Sequence, residues 1–211
     1  MRVVAEEMRR YYHRRAQEYD DWWVGSDSFR GVERPGWVRE VRDLIATLER
    51  LPPTRVVDVA CGTGFLTRCL RGEVTAIDQS DAMVEIAGAR LPDATVFRAE
   101  AVPLPFGDRA FGRLFTGHFY GHLLPPEREA FLAEARRVAD ELVVVDSAQR
   151  EGVEPEAWQE RRLSDGSRHR VYKRYFDARS LAEELGGGEV LHRGHWFVAV
   201  AARPLESRPD P

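Results

Sequence analysis

The chain has 211 residues and a formal charge of −4, with 43% hydrophobic and 31% charged residues. That length suits one domain with a sizeable core, and the composition is that of a globular protein. The negative charge argues against general binding to a nucleic-acid backbone or an anionic lipid surface, because neither would be attracted overall.

The first 15 residues, MRVVAEEMRRYYHRR, lack the apolar core of a signal peptide. Val4, Met8, Tyr11, Tyr12, Ala16 and Tyr19 instead recur at helical spacing, so an amphipathic helix is expected over about 5–19. A loop rich in Gly, Ser, Asp and Pro leads to a second helix with Val38, Val41, Leu44, Ile45 and Leu48 on one face, stopped by Pro52 and Pro53. Strand patterns then fall at 55–59, 74–77, 95–98, 113–116 and 142–145, with a closing pair near 190–191 and 196–201. Helical patterns lie between them at 64–70, 81–89, 126–139 and 178–185, with Ser80 and Asp177 as N-caps and Gly186 as a C-cap.

This alternation predicts an α/β fold: a Rossmann-like, doubly wound, mostly parallel sheet, finished by an antiparallel hairpin around Arg193-Gly194. The polar, Pro-rich segment 204–211 is expected to be disordered. Cys61 and Cys69 have neither disulfide-framework nor zinc-site spacing, so reduced thiols in a cytoplasmic, metal-free protein are expected. The longest wholly apolar run, 196–202, is far too short to span a bilayer.

The chemistry concentrates in VVDVACGTGFLTRCLRGEVTAIDQS, residues 56–80. In an open parallel sheet, ligands sit beyond the carboxyl ends of the strands, where Asp58, the Gly62–Gly64 turn and Asp78 all fall. The glycines allow a tight turn and close approach of a ligand. Asp78 can accept hydrogen bonds from two vicinal ribose hydroxyls. Thr67 stands where a dinucleotide fingerprint needs its third glycine, and no lysine follows the turn as a P-loop requires. A nucleoside held by its ribose, without phosphates, fits better.

VVDVACGTG resembles the D-x-x-C-G-T-G motif of class I S-adenosylmethionine (SAM) dependent methyltransferases, in the small-molecule (type 11/25-like) branch. The resemblance continues through AIDQSDAMVEIA, VFRAEAVPLPFGDRAFGRL and the N-terminal YHRRAQEYD, and covers about 11–203. It implies a seven-stranded sheet under an N-terminal helical cap. SAM is then the cofactor, leaving as S-adenosylhomocysteine (SAH).

By the same resemblance, Asp58 and the backbone from Ala60 through Gly62 to Gly64 hold the methionine portion, with the Thr116 backbone at its amino group. Asp78 binds ribose beside Gln79, and Met83 packs on adenine. Glu100 meets the adenine amino group, the Ala101 backbone another ring nitrogen, and Tyr12 and Tyr19 close over the cofactor. Glu100 stands where Asp is common, and Gly112 replaces the usual Asp of a Phe-Asp pair.

A sulfonium is already an activated leaving group, so the protein mainly aligns the acceptor and excludes water; a base is needed only if the acceptor must lose a proton. The segment TGHFYGHL after the fourth strand borders the methyl group in this fold, making His118, Tyr120 and His122 the catalytic candidates. His122 also suits a structural role. Between the fifth strand and the last helix, 147–177 is long for a connection, and Ser164–Ser167 is a turn signal, so a small hairpin or lid over the acceptor is expected. Its Arg168, Arg170, Lys173 and Arg174 could bind an anionic acceptor or form a solvated strand face. Trp22, Trp23 and Trp158 are read as core or cap packing before pocket lining.

The expected organisation is one methyltransferase domain over 1–203, with cap helices at 1–50, a SAM-binding core at 54–146, an acceptor lid at 147–177, and the tail at 204–211. The leading expectation is direct in-line methyl transfer to a small molecule, without nucleic-acid or membrane partners. A tRNA, other nucleic-acid or protein methyltransferase is the enzyme alternative; no N-P-P-[YF] motif and no basic domain support the nucleic-acid form. A non-catalytic ligand-binding or interaction protein of the same fold is the alternative from another class.

Overall fold

A computed structural model describes residues 6–24 and 33–203; Val4 and the 204–211 segment lie outside these residues. The strands are β1 (Thr54–Val59), β2 (Gly72–Asp78), β3 (Thr95–Arg98), β4 (Arg113–Gly117), β5 (Leu142–Ser147), β6 (Glu156–Arg162), β7 (Arg168–Arg174), β8 (Glu189–Arg193) and β9 (Phe197–Ala202). The helices are α1 (Glu6–Arg15), α2 (Asp21–Val24), α3 (Trp37–Glu49), α4 (Asp81–Arg90), α5 (Pro125–Val138) and α6 (Ala178–Glu184). Seven strands form one sheet in the order β3-β2-β1-β4-β5-β9-β8, parallel from β3 through β5, with β9 antiparallel between β5 and β8. This is the doubly wound architecture expected from the alternation of strands and helices.

Alternation along each strand splits the core into two layers. Val57, Val59, Leu114 and Val144 pack with Phe131, Ala135 and Val138 of α5 and Leu181 of α6. Val56, Phe115, Val143 and Val145 face the other way, onto Trp37, Val41, Leu44 and Leu48 of α3. Val38, expected on that buried face, is 58% exposed. Trp37 takes the core place because its indole N–H reaches the Trp23 carbonyl at 2.8 Å. The expected helix over 64–70 is a single 3₁₀ turn, Thr67–Cys69. The N-terminal helix ends at Arg15 and continues as a 3₁₀ turn over Ala16–Glu18.

The last hairpin is anchored by one carboxylate. Glu40 of α3 accepts the backbone N–H groups of Trp196 and Phe197 at 2.8 Å and of His195 at 3.0 Å. Glu40→Ala is expected to lose about 2–3 kcal/mol, since bonds to a charged acceptor are each worth about 1.5–3 kcal/mol and the exposed turn regains some solvation. A urea midpoint compared with wild type checks this.

The hairpin within 147–177 is longer than expected: β6 and β7 pair over seven residues each as a separate two-stranded sheet. It packs on α1, where the Arg170 N–H donates to Glu7 at 2.9 Å and the Tyr11 and His169 rings lie 5.5 Å apart. Cap and hairpin thus form one roof beyond the carboxyl ends of β1, β4 and β5. Among the described residues, no helix is long and apolar enough to cross a membrane.

Candidate active site

The β1 loop turns through three residues at positive φ, Ala60 (+60°), Gly62 (+55°) and Gly64 (+76°). A Cβ on Gly64 would come within 2.9 Å of Leu91, so the loop lies close on α4. Asp78, at the end of β2, fixes the turn: its Oδ2 accepts from the Gly62 N–H at 3.0 Å and its Oδ1 from the Ser80 N–H at 2.9 Å. Burial raises its pKa to about 6, against the pull of these bonds. Ser80 also caps α4 by accepting from the Met83 N–H.

Asp58 is more costly. One oxygen accepts from the Thr67 hydroxyl at 2.6 Å; the other, Oδ1, is buried with no partner. Burial raises its pKa to about 8, with Asp78 adding to the rise. Asp58 lines a small cavity with Ala60, Cys61, Tyr19 and Gly117. An adjoining space is lined by Tyr12, Tyr19, Ala60, Gly62, Asp78, Gln79, Met83, His118 and His122. Glu100 and Ala101 line a third with Asp78 and Gln79.

Most of the residues singled out from sequence therefore surround one connected cleft. Thr116 does not line it: its hydroxyl donates to the Val59 carbonyl at 2.8 Å, and the neighbouring Gly117 lines the cleft instead. Tyr120 is not brought there either; it is wholly buried and donates to Glu184 at 2.8 Å. Glu100 shares both carboxylate oxygens with Arg9 of α1, at 2.9 and 3.0 Å. Gly112 leaves room for the Thr54 side chain, which a Cβ there would strike.

The two histidines differ in environment. His122 Nδ1 is 2.6 Å from the Tyr172 carbonyl, which can only accept, so the proton sits on Nδ1. Nε2 is then left to accept the Tyr12 hydroxyl at 2.7 Å. His118 sits at φ +55° with its ring enclosed by Trp22, Trp23 and Phe197, at centroid distances of 4.8, 5.1 and 5.6 Å. Its Nδ1 is 3.5 Å from the Ser147 hydroxyl and its Nε2 is buried without a partner. Burial lowers both histidines to about 3, so both are neutral. Tyr12→Phe is expected to strand His122 Nε2 and cost about 1–3 kcal/mol, the penalty for a buried unsatisfied group, read as a lower melting temperature.

Lys173, expected on a solvated face, is instead buried and paired with Asp146 beside these histidines. Lys173 offsets the burial that would raise Asp146, holding that carboxyl below its usual range. Arg168 pairs with Glu160 and Arg174 with Glu184, at 3.0 and 2.9 Å. Trp158 is 44% exposed against Tyr172, whereas Trp23 is buried in the core.

Beyond the histidines opens a cavity of about 550 Å³ between α1, the start of α3 and the β6–β7 roof. Trp22, Trp37, Trp196 and Tyr175 contribute aromatic walls; Arg15, Arg150 and Arg161 contribute positive charge, and Glu18, Glu33 and Glu160 a smaller negative share. No local pattern points to these arginines, because they converge from segments far apart in the chain.

Known proteins share this arrangement. Residues 56–141 match the family described as a methyltransferase domain. A demethylmenaquinone methyltransferase of Thermotoga maritima is 36% identical over 107 residues, 48% of this chain and 44% of that protein. A trans-aconitate 2-methyltransferase of Afipia carboxidovorans is 38% identical over 66 residues, 29% of this chain and 26% of that protein. The chain thus spans half or less of the length of these relatives. A solved DhpI-SAH complex is similar across 97% of this chain and 98% of its own, with a TM-score of 0.72 and 26% identity. A DhpI-SAM-HEP complex is similar over 97% and 99%, with the same TM-score and 25% identity. Residues 56–141 thus match a methyltransferase domain, and the strand order, the glycine turn between two aspartates and these likenesses are those of the class I SAM-dependent methyltransferase fold.

Proposed function

We propose that the protein transfers a methyl group from SAM to a small-molecule acceptor by direct in-line displacement. The observation that carries this reading is the unpartnered, buried Oδ1 of Asp58 at a cleft whose other end is rimmed by Asp78. A buried carboxylate oxygen without a donor is costly, and the ammonium of a methionine moiety is a donor of matching charge. Asp78, with Gln79 beside it, would take the ribose hydroxyls, and Met83, Glu100 and Ala101 the adenine. SAM supplies the methyl group on a sulfonium that needs no further activation.

The chain's task is then to align and to dry the site. Tyr12 and Tyr19 close it from the cap, and the ring of His118, fixed by its aromatic cage, limits how the acceptor approaches. His118, whose Nε2 has no partner, would orient an acceptor, and His122 would hold the Tyr12 hydroxyl in place. We read 147–177 as the acceptor lid and 1–203 as one working unit. A cavity of about 550 Å³ favours a compact acceptor, and its guanidinium groups favour one with negative charge. The free thiols of Cys61 and Cys69 suit the reducing cytoplasm, where we place the reaction.

The test is calorimetric titration of SAH into the protein. One-to-one saturable binding supports the reading, and its absence in a folded sample overturns it.

A further inference from the structure

The large cavity carries more specific information about the acceptor. We propose that the acceptor is an organic acid gripped by Arg150 and Arg161, and that its own anionic oxygen is the atom methylated. This rests on the methyltransferase reading above and narrows it to ester formation.

Arg150 follows β5 and Arg161 lies on β6, so two separate segments bring guanidinium groups to one cavity. Both are half-buried. Among the described residues neither has a carboxylate partner: Arg161 donates to the Gln159 side chain at 2.5 Å, and Arg150 lies over the Trp196 ring at 4.4 Å and the Tyr175 ring at 5.6 Å. Elsewhere the pairing is different, as with Arg113 on Glu141, Arg128 on Glu184 and Arg137 on Glu134. Half-buried guanidinium groups lacking an acid are poorly compensated, and a carboxylate or phosphoryl group matches their fork of donors. The aromatic rings around them suit a planar or apolar body on the same molecule.

The second observation concerns the proton. A neutral hydroxyl acceptor must lose one during attack, which calls for a base. His122 has neither ring nitrogen free, since one donates to the Tyr172 carbonyl and the other accepts from Tyr12. His118 lines the cavity with a partnerless Nε2, but Trp22, Trp23 and Phe197 hold its ring in an apolar cage, and burial there disfavours the charged form a base must take. An acid reaches the site already deprotonated. A lone pair of its oxygen forms the new O–CH3 bond while the S–CH3 bond breaks; that bonding pair stays on sulfur, turning sulfonium into thioether. No proton moves. The ester has lost one negative charge, which weakens its hold on the two arginines and favours release.

The experiment starts from protein saturated with SAH, verified by calorimetry, so that failure of cofactor binding is seen separately and first. Phenylacetate, phenylphosphonate and neutral phenylacetamide are then titrated in. Both acids, or one of them, are expected to bind at least about tenfold more tightly than the amide, and the two arms tell a carboxylate site from a phosphoryl site. Arg150→Gln and Arg161→Gln should each weaken the acid by about tenfold while leaving SAH binding and the amide unchanged. As a second readout, transfer from methyl-tritiated SAM to a panel of organic acids should give product whose label is released as volatile methanol, by alkali from a carboxylic ester and by hot strong acid from a phosphonate monoester. Amide binding as tight as acid, no binding of either acid to the SAH-loaded protein, arginine variants without effect, or a product whose label resists both alkali and hot strong acid each overturn the proposal.

Discussion

Replacing Asp78 with alanine is expected to weaken SAH binding by about a hundredfold or more. Hydrogen bonds to a charged acceptor are worth about 1.5–3 kcal/mol each, and two ribose hydroxyls on one carboxylate give roughly two decades or more of affinity. The same substitution frees the Gly62 and Ser80 N–H groups that Asp78 holds, so the glycine turn loses its brace as well. Asp78→Asn keeps the shape and removes the charge, and should fall between wild type and alanine. A pH series gives an independent check. Because burial raises Asp78 to about 6, lowering the pH from 7 to 5 protonates it in the empty protein and removes the charged acceptor. Wild-type affinity should therefore fall with pH over that window, while Asp78→Asn loses the part of the fall due to this group. Calorimetric titration at each pH reads both effects.

The ease of reading the sheet has a physical cause. Val56, Val57 and Val59 of β1 and Val143, Val144 and Val145 of β5 are apolar on both faces because helices cover both, and such runs stand out locally. Asp58 and Asp78 were legible because each ends such a run. The 64–70 segment was misread as a helix because Leu66, Thr67 and Leu70 suit one. Its backbone instead follows the left-handed Gly62 and Gly64, which leave space for only a short turn. Val38 reads as buried from sequence because only the contact with Trp23 tells that its neighbour Trp37 faces inward instead.

The charges of the roof were the hardest part. In β7, Val171, Tyr172 and Lys173 are buried in succession, which breaks the alternation that marks a half-exposed strand. Lys173 is buried because Asp146, 27 residues earlier, meets it, and no local pattern reveals such a partner. Arg150 and Arg161 form part of one cavity only through the folding of the hairpin back over α1. Arg9 reaching Glu100 is the same kind of contact, between residues 91 positions apart.

Asp58→Asn is expected to stabilise the empty protein while weakening its hold on SAM. The native carboxyl is buried with one orphaned oxygen, and its pKa is raised from 3.8 to about 8. A raised folded pKa means that folding takes up a proton between those values, so the stability tied to protonated Asp58 is present in acid and is lost as pH rises towards 8. At pH 7–8 this amounts to on the order of 4 kcal/mol against the folded state. Asparagine carries no charge, so the loss disappears with it, less about 1–3 kcal/mol for an amide N–H that inherits the orphaned position. The melting temperature of the empty variant should therefore exceed wild type by several degrees at pH 8, at roughly 2–4 °C per kcal/mol, and by little at pH 5. With SAM the order reverses, because the ammonium favours ionised Asp58 and finds no charge in the variant. The wild type should also release a proton on binding near pH 7, seen as a binding enthalpy that changes with the ionisation enthalpy of the buffer. A wild-type binding enthalpy independent of buffer, together with an empty variant no more stable at pH 8, would show that Asp58 is already charged and compensated without the cofactor.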